Sequence, residues 1–170
     1  MDTVFALSYW LSVLVFIGVL IAAAIADFCT LKIPNWCSFV IAVVFVLFAH
    51  NLNMPLSEIL THYGTGVIVY LLGLGLVLRG VVGGGDVKLL STTCIWAGPN
   101  MLAELLISTA ILGGMLALVV ICMRKTLSER LNGWKPLWLN PPEGTSIGIP
   151  YGVAIAVAGL LLVSQITILI

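Results

Sequence analysis

The sequence predicts an all-α integral membrane protein, a six-helix transmembrane bundle that forms a single domain over residues 1–170. The composition favours this class, because 61% of the residues are hydrophobic and only 8% are charged. A soluble domain carries about 25% charged residues, since its surface must be hydrated. This chain has too little polar material to cover a water-facing globule, which indicates helices packed in a bilayer.

Six apolar runs approach the length of about 20 residues that a helix needs to cross the hydrocarbon core of a bilayer. They are residues 3–26, 36–52, 59–78, 87–98, 105–123 and 149–170. The first run lacks a basic segment before it and is too long for a signal-peptide core, so we expect it to remain as a helix. The fourth run reaches only about 20 Å. We therefore expect it to lie deep inside the bundle, away from lipid.

The orientation follows from the basic residues. Six of the seven Lys and Arg residues lie between the first and second, third and fourth, or fifth and sixth runs, and the seventh, Lys88, is the second residue of the fourth run, beside its junction with the third. The positive-inside rule then places these loops in the cytoplasm and both termini on the non-cytoplasmic side. The longest loop, about residues 124–147, contains Trp134 and Trp138 as well as basic residues. We expect this loop to lie on the cytoplasmic headgroup surface, in contact with membrane lipid.

Several function classes are excluded by composition and spacing. The formal net charge is zero, so there is no basic field to attract nucleic acid. The four cysteines form no CxxC pair, which argues against a zinc site or a redox motif. His50 and His62 alone make no convincing metal site, and no Ser–His pair can share the cytoplasmic end. We expect no metal and no cofactor.

Two carboxylates carry the chemistry that the sequence indicates. Asp27 ends the first run and Asp86 begins the fourth, so the predicted topology places both at the cytoplasmic end of one bundle. A carboxylate near membrane depth is expensive and indicates function. Asp86 follows three glycines, where it could also serve as an N-cap. Asp27 stands at a helix C-terminus, where the dipole repels negative charge, so capping gives no explanation for it.

Two carboxylates held close together cannot both ionise cheaply, so they share a proton. One can act as general base on a water molecule and the other as general acid, which is the chemistry of an aspartyl protease. The glycines before Asp86 would let a substrate backbone approach. Two alternatives stay open: a proton relay in a proton-coupled transporter or channel subunit, and a non-catalytic assembly subunit.

Two motifs make the pattern specific. Residues 83–90, GGGDVKLL, contain G-x-G-D followed by x-K-L, and residues 27–35, DFCTLKIPN, contain D-x-x-T-x-x-I-P-N. Together with the six runs, and with Pro-Tyr-Gly at 150–152, they resemble the prepilin peptidase family, also called type IV leader peptidases. The resemblance covers essentially the whole chain.

The resemblance implies a multi-pass protein of the bacterial inner membrane, an aspartic endopeptidase that removes the leader from prepilins at the cytoplasmic face. It assigns the catalytic roles to Asp27 and Asp86, and it adds the pilus assembly machinery as a further candidate partner. We expect no N-terminal extension with two CxxC pairs of the kind that larger members carry, and the chain is similar to the short branch associated with Flp-type, or tight-adherence, pili. We therefore do not assign it their N-methyltransferase activity.

Further residues in the two motifs are expected to support the site or position the substrate. They are Gly83, Gly84, Gly85, Lys88, Thr30, Pro34 and Asn35. Pro34 fits an N1-like position of the second helix and Asn35 can bond local backbone, although both are also ordinary helix-start residues. Lys88 could bind Asp86, a lipid phosphate or a substrate carbonyl, or it could be a snorkelling residue at the membrane boundary.

Overall fold

The computed structural model describes residues 3–127, 138 and 148–168. Every regular element in these residues is an α-helix, which confirms the predicted all-α class. The helices are α1 (Thr3–Thr30), α2 (Asn35–Asn51), α3 (Leu56–Leu78), α4 (Gly84–Leu127) and α5 (Tyr151–Ile168). The predicted 124–147 loop lies outside the described residues, apart from 124–127 and 138.

Three of the helices are long and apolar enough to cross a membrane. These segments are Leu7–Thr30, Leu56–Leu78 and Gly84–Arg124. Asn35–Asn51 and Tyr151–Gln165 are apolar but shorter. The outer surface of the bundle is correspondingly apolar, and Leu72 on α3 is 70% exposed. Such a surface is suited to lipid rather than to water.

The described residues form five helices rather than the six separate helices that the sequence predicts. The fourth and fifth apolar runs, 87–98 and 105–123, both lie within α4, and residues 99–104 between them are helical as well. Yet α4 is not continuous, because Gly98 has φ 60° and ψ −174°, which is not a helical conformation. We call residues 84–97 the first arm of α4 and residues 99–127 the second arm.

The break at Gly98 has a physical cause in its neighbours. Pro99 has no amide hydrogen, so the carbonyl of Ile95 loses the partner that a regular helix would supply four residues later. The Nδ1 atom of His62 lies 2.7 Å from that carbonyl oxygen and takes the place of the missing donor. A side chain at Gly98 would overlap the His62 ring. The imidazole thus satisfies the backbone where the helix breaks.

The two arms of α4 run in opposite directions. Asp86, at the start of the first arm, lines the same cavity as Tyr151, the first residue of α5. Glu104, near the start of the second arm, accepts a hydrogen bond from Gln165 near the other end of α5. Further along this arm, a Cβ at Gly113 would lie 3.0 Å from the Tyr151 ring. The second arm therefore returns towards the end of the bundle where the first arm began.

The first arm forms the centre of the bundle, as expected for the short fourth run. Residues 93–98 are all buried. The Trp96 ring stacks on Phe16 of α1 at 4.1 Å between centroids, and its Nε1 donates to the Ile41 carbonyl of α2 at 3.0 Å. These contacts fix the first arm against α1 and α2, and so set where Asp86 lies relative to the end of α1.

Candidate active site

Asp27 lies in the last turn of α1, and its side chain is only 4% exposed. Its Oδ2 atom accepts a hydrogen bond of 2.7 Å from the backbone amide of Gly152, in the first turn of α5. The C-terminal end of α1 disfavours a negative charge, but the N-terminus of α5 favours one. The interpretation that capping does not explain Asp27 is therefore wrong: the carboxylate caps a different helix.

Gly152 is a site residue to which sequence reasoning gave no role beyond the Pro-Tyr-Gly resemblance. A Cβ at this position would lie 2.9 Å from Asp27 Oδ2 and 2.8 Å from Cδ1 of Ile33. Both contacts are too short for a carbon side chain. The absence of a side chain at Gly152 is what allows the amide to approach the Asp27 carboxylate.

Asp86 lies in the first turn of α4 and is half-buried. A Cβ at Gly83 would lie 2.8 Å from Asp86 Oδ2, and one at Gly85 would lie 3.3 Å from Cβ of Ile33. A Cβ at Gly84 would meet nothing closer than 3.9 Å. None of the three glycines has a positive φ. Close approach, rather than an unusual backbone conformation, is therefore the reason for glycine at 83 and 85.

The two carboxylates line one cavity of about 690 Å³. Ile33 lies against both Gly85, which precedes Asp86, and Gly152, which binds Asp27, so the two carboxylates flank the same residue. The other lining residues come from three stretches of chain, namely residues 31–33 with Asn35, residues 80–85, and residues 148–149 with Tyr151. Lys32 and Val81 among them are exposed, so the cavity can be reached from outside the bundle. Its size suits a short peptide segment with water.

The chain turns sharply between α1 and α2. The Leu31 amide donates to the Asp27 carbonyl at 2.8 Å, and Leu31 itself has φ 55°, in the left-handed region. This conformation costs a residue with a side chain about 1–2 kcal/mol. The turn brings Ile33 against Gly85 and Gly152. The connection between α1 and α2 thus contacts both segments that surround the carboxylates.

Lys88 and Asn35 contact each other. The Lys88 Nζ atom donates to Asn35 Oδ1 at 2.9 Å, so the partner of Lys88 is Asn35 rather than the Asp86 carboxylate. Asn35 is the first residue of α2 and Pro34 is its N-cap, one position earlier than the N1-like site that we expected for the proline. The hydrogen bond ties the start of α2 to the first arm of α4.

Thr30 lies apart from the cavity. Its hydroxyl donates to the Ala26 carbonyl of its own helix at 2.7 Å, and the residue is exposed. Pro34 and Lys88 do not line the cavity either, whereas Asn35 and the three glycines do. The structure therefore brings together Asp27, Asp86, Asn35 and the glycines, and it places the other motif residues around them.

The arrangement offers two carboxylates, backbone amides and space for a peptide. In the part of the chain that the structure describes, no group of three or more His, Cys, Asp or Glu residues could hold a metal ion. Two neighbouring carboxylates need only water for hydrolysis, with one acting as base and the other as acid. The geometry therefore fits hydrolysis of a peptide bond by an aspartate pair.

One comparison with known proteins gives a match. The model of the type IV leader peptidase family matches residues 14–118, which include Asp27 and Asp86. No curated protein and no solved structure matches the chain. The start of α5 with Gly152 lies beyond the matched residues.

Proposed function

Because the chain belongs to the type IV leader peptidase family, we propose that it is an aspartic endopeptidase that removes the leader peptide from prepilins. The observation that carries this proposal is the cavity shared by Asp27 and Asp86, two carboxylates that lie far apart in the sequence and on different helices. The family match favours a peptidase over the proton relay of a transporter.

In the proposed reaction one carboxylate of the pair is ionised and the other is protonated. The ionised carboxylate takes a proton from a water molecule, which attacks the carbonyl carbon of the scissile peptide bond. The protonated carboxylate donates its proton to the carbonyl oxygen. When the bond breaks, the carboxyl group that took the proton from water gives it to the leaving amine, and the other carboxylate takes back a proton from a hydroxyl of the tetrahedral intermediate, which restores the singly protonated pair. Gly83 supports this proposal, since a Cβ there would lie 2.8 Å from Oδ2 of Asp86 and would crowd the carboxylate that must meet the substrate.

We further propose that the chain crosses a bacterial inner membrane six times, with both termini outside and the aspartates at the cytoplasmic face. The opposite directions of the two arms of α4 support a sixth crossing. Three basic residues lie at or near helix ends on the side of the bundle that holds the aspartates: Lys32 just after α1, Arg79 at the end of α3 and Arg124 near the end of α4. This distribution agrees with a cytoplasmic face. Reporter fusions after Lys135 should score cytoplasmic, and fusions at the C-terminus should score external. A cytoplasmic C-terminus would refute this topology.

The substrate and partners are narrower proposals. A prepilin segment would lie in the aspartate cavity, whose wall at residues 80–85 is rich in glycine. The Flp branch and contact with the pilus assembly machinery follow from the sequence resemblance, and the apolar outer surface supports contact with membrane lipid. No nucleic acid and no cofactor form part of the proposal.

The direct test is to coexpress the chain with candidate prepilins and to follow their electrophoretic mobility. Cleavage should shorten one prepilin by the length of its leader, and membranes without the chain should leave it intact. Sequencing the new N-terminus identifies the cleaved bond. If every candidate prepilin stays full length while the chain is present in the membrane, the proposed function is wrong.

A further inference from the structure

Arg124, near the end of the second arm of α4, binds two separate backbone segments. Its Nε atom donates to the Trp138 carbonyl at 2.5 Å, and its Nη2 atom donates to the Gly148 carbonyl at 2.9 Å. Arg124 is half-buried. A guanidinium holds its donors in a planar, fixed geometry, so one side chain can fix two carbonyls relative to each other. Arg124 is thus turned towards the protein, although the sequence suggested contact with lipid.

One of these two carbonyls leads directly to the active site. Gly148 lines the aspartate cavity and stands four residues before Gly152, whose amide binds Asp27. The stretch between them is constrained, since the Tyr151 amide donates to the Ile149 carbonyl at 2.8 Å and Pro150 is fully buried. Because this connection is short and constrained, the position of Gly148 determines the position of Gly152.

The other carbonyl belongs to a residue that contacts the neighbour of Asp27 in the sequence. Trp138 is 5% exposed, and its ring lies 5.2 Å from the ring of Phe28. Leu31 contacts the same buried cluster as Trp138, and it also lies against Gly148. The two segments held by Arg124 therefore contact the residues that directly follow Asp27, namely Phe28 and Leu31.

We propose that Arg124 is a positioning residue for Asp27. Its guanidinium fixes the start of α5, so that the Gly152 amide meets the Asp27 carboxylate in the geometry that hydrolysis requires. This inference rests on the proposed peptidase function and extends it to a residue outside the family match, which ends at residue 118. Arg124 itself touches neither the carboxylates nor the substrate in this account.

The test compares Arg124→Met and Arg124→Lys with the unaltered chain in a leader-cleavage assay, with rates expressed per folded molecule. Methionine keeps an unbranched apolar side chain but has no donor, and lysine keeps the charge but has no planar fork. We expect Arg124→Met to lower kcat at least about tenfold, because small misplacements of catalytic groups are costly. KM should change less than about twofold, and Arg124→Lys should give an intermediate kcat. Arg79→Met removes an exposed basic residue outside the cavity and should behave like the unaltered chain.

A double variant separates positioning of Asp27 from a general structural role. If Arg124 acts through Gly152, adding Arg124→Met to Gly152→Ala should lower kcat little beyond the loss from Gly152→Ala alone. Losses that multiply would overturn the proposal, as would an unchanged kcat or a change confined to KM. If Arg124→Met does not accumulate, Arg124→Lys decides, and its cleavage at the unaltered rate would also overturn the proposal. An unaltered chain that cuts no prepilin would instead contradict the peptidase function itself.

Discussion

Asp27 and Asp86 line the same cavity, but they stand at opposite ends of their helices. Asp86 begins α4, where free amides and the helix dipole favour a carboxylate. Asp27 is close to the end of α1, where the local dipole opposes its charge, and its hydrogen-bond donor is Gly152, 125 residues later. The groups that stabilise Asp86 lie next to it in the sequence. The donor to Asp27, in contrast, is placed by the packing of α5 against α1.

The largest effect should come from removing either carboxylate. Asp27→Asn and Asp86→Asn keep the size of the side chain but cannot accept or hold the shared proton. Each should lower leader cleavage by at least about 10³-fold, as expected for residues that act as a unit. The measurement is prepilin conversion by membranes that contain equal amounts of each variant. Normal processing by either variant would show that the carboxylates do not work as a pair.

The next largest effect should come from Gly152→Ala. The added methyl group would lie 2.8 Å from Cδ1 of Ile33 and 2.9–3.0 Å from Oδ2 and Cβ of Asp27, so either the Asp27 carboxylate or the start of α5 must shift. We expect cleavage to fall by about 10²-fold. The matched control is Gly75→Ala on α3, where the new methyl group meets nothing within 4 Å and does not line the cavity, so the rate should stay within about twofold of the unaltered chain. Equal rates for the two alanine variants would contradict the role assigned to Gly152.

Gly83→Ala tests the corresponding contact at Asp86. The new methyl group would meet Oδ2 of Asp86, the free end of a side chain that can rotate away, so the fold should tolerate it. The rotated carboxylate would be misplaced for hydrolysis, and we expect about a tenfold loss of kcat with little change in thermal stability. Loss of stability in parallel with activity would instead indicate that Gly83 serves the fold.

These contrasts show how far the sequence determines the site. Hydrophobic runs predicted α1, α2 and α3 to within a few residues, since the length of an apolar helix follows from the bilayer. The apolar runs predicted a connection at residues 99–104, but they did not reveal that these residues are helical, nor that His62 of α3 replaces the donor that Pro99 lacks.

The surroundings of Asp27 could not be predicted in the same way. Placing Asp27 and Asp86 at one end of the bundle required only the alternation of the apolar runs. The hydrogen bond from Gly152 to Asp27 and the hydrogen bonds of the Arg124 guanidinium depend on packing between distant segments. Neither produces a periodicity or a local motif. The sequence indicated that Arg124 is a cation at the membrane interface, because a sequence shows the charge of a residue but not its backbone partners.

The smallest of the mutational effects should come from the Lys88–Asn35 hydrogen bond. The bond lies outside the carboxylate pair and is exposed, so its loss in Lys88→Met or Asn35→Ala should slow cleavage only about two- to fivefold. A double-mutant cycle should give a coupling energy of about 0.5–1 kcal/mol. Fully additive effects would mean that the two side chains act independently on the site.

In the proposed mechanism two carboxylates in different settings act as one singly protonated pair, and the pH dependence of cleavage reports on that protonation state. Purified protein in detergent should be assayed on a prepilin across pH in the presence of a chelator. We expect a bell-shaped profile, because the pair fails when both groups are protonated or both are ionised. The chelator should leave the rate unchanged. Cleavage that disappears with the chelator and returns with zinc, or a profile that is flat between the acid and alkaline limits, would contradict hydrolysis by a singly protonated aspartate pair.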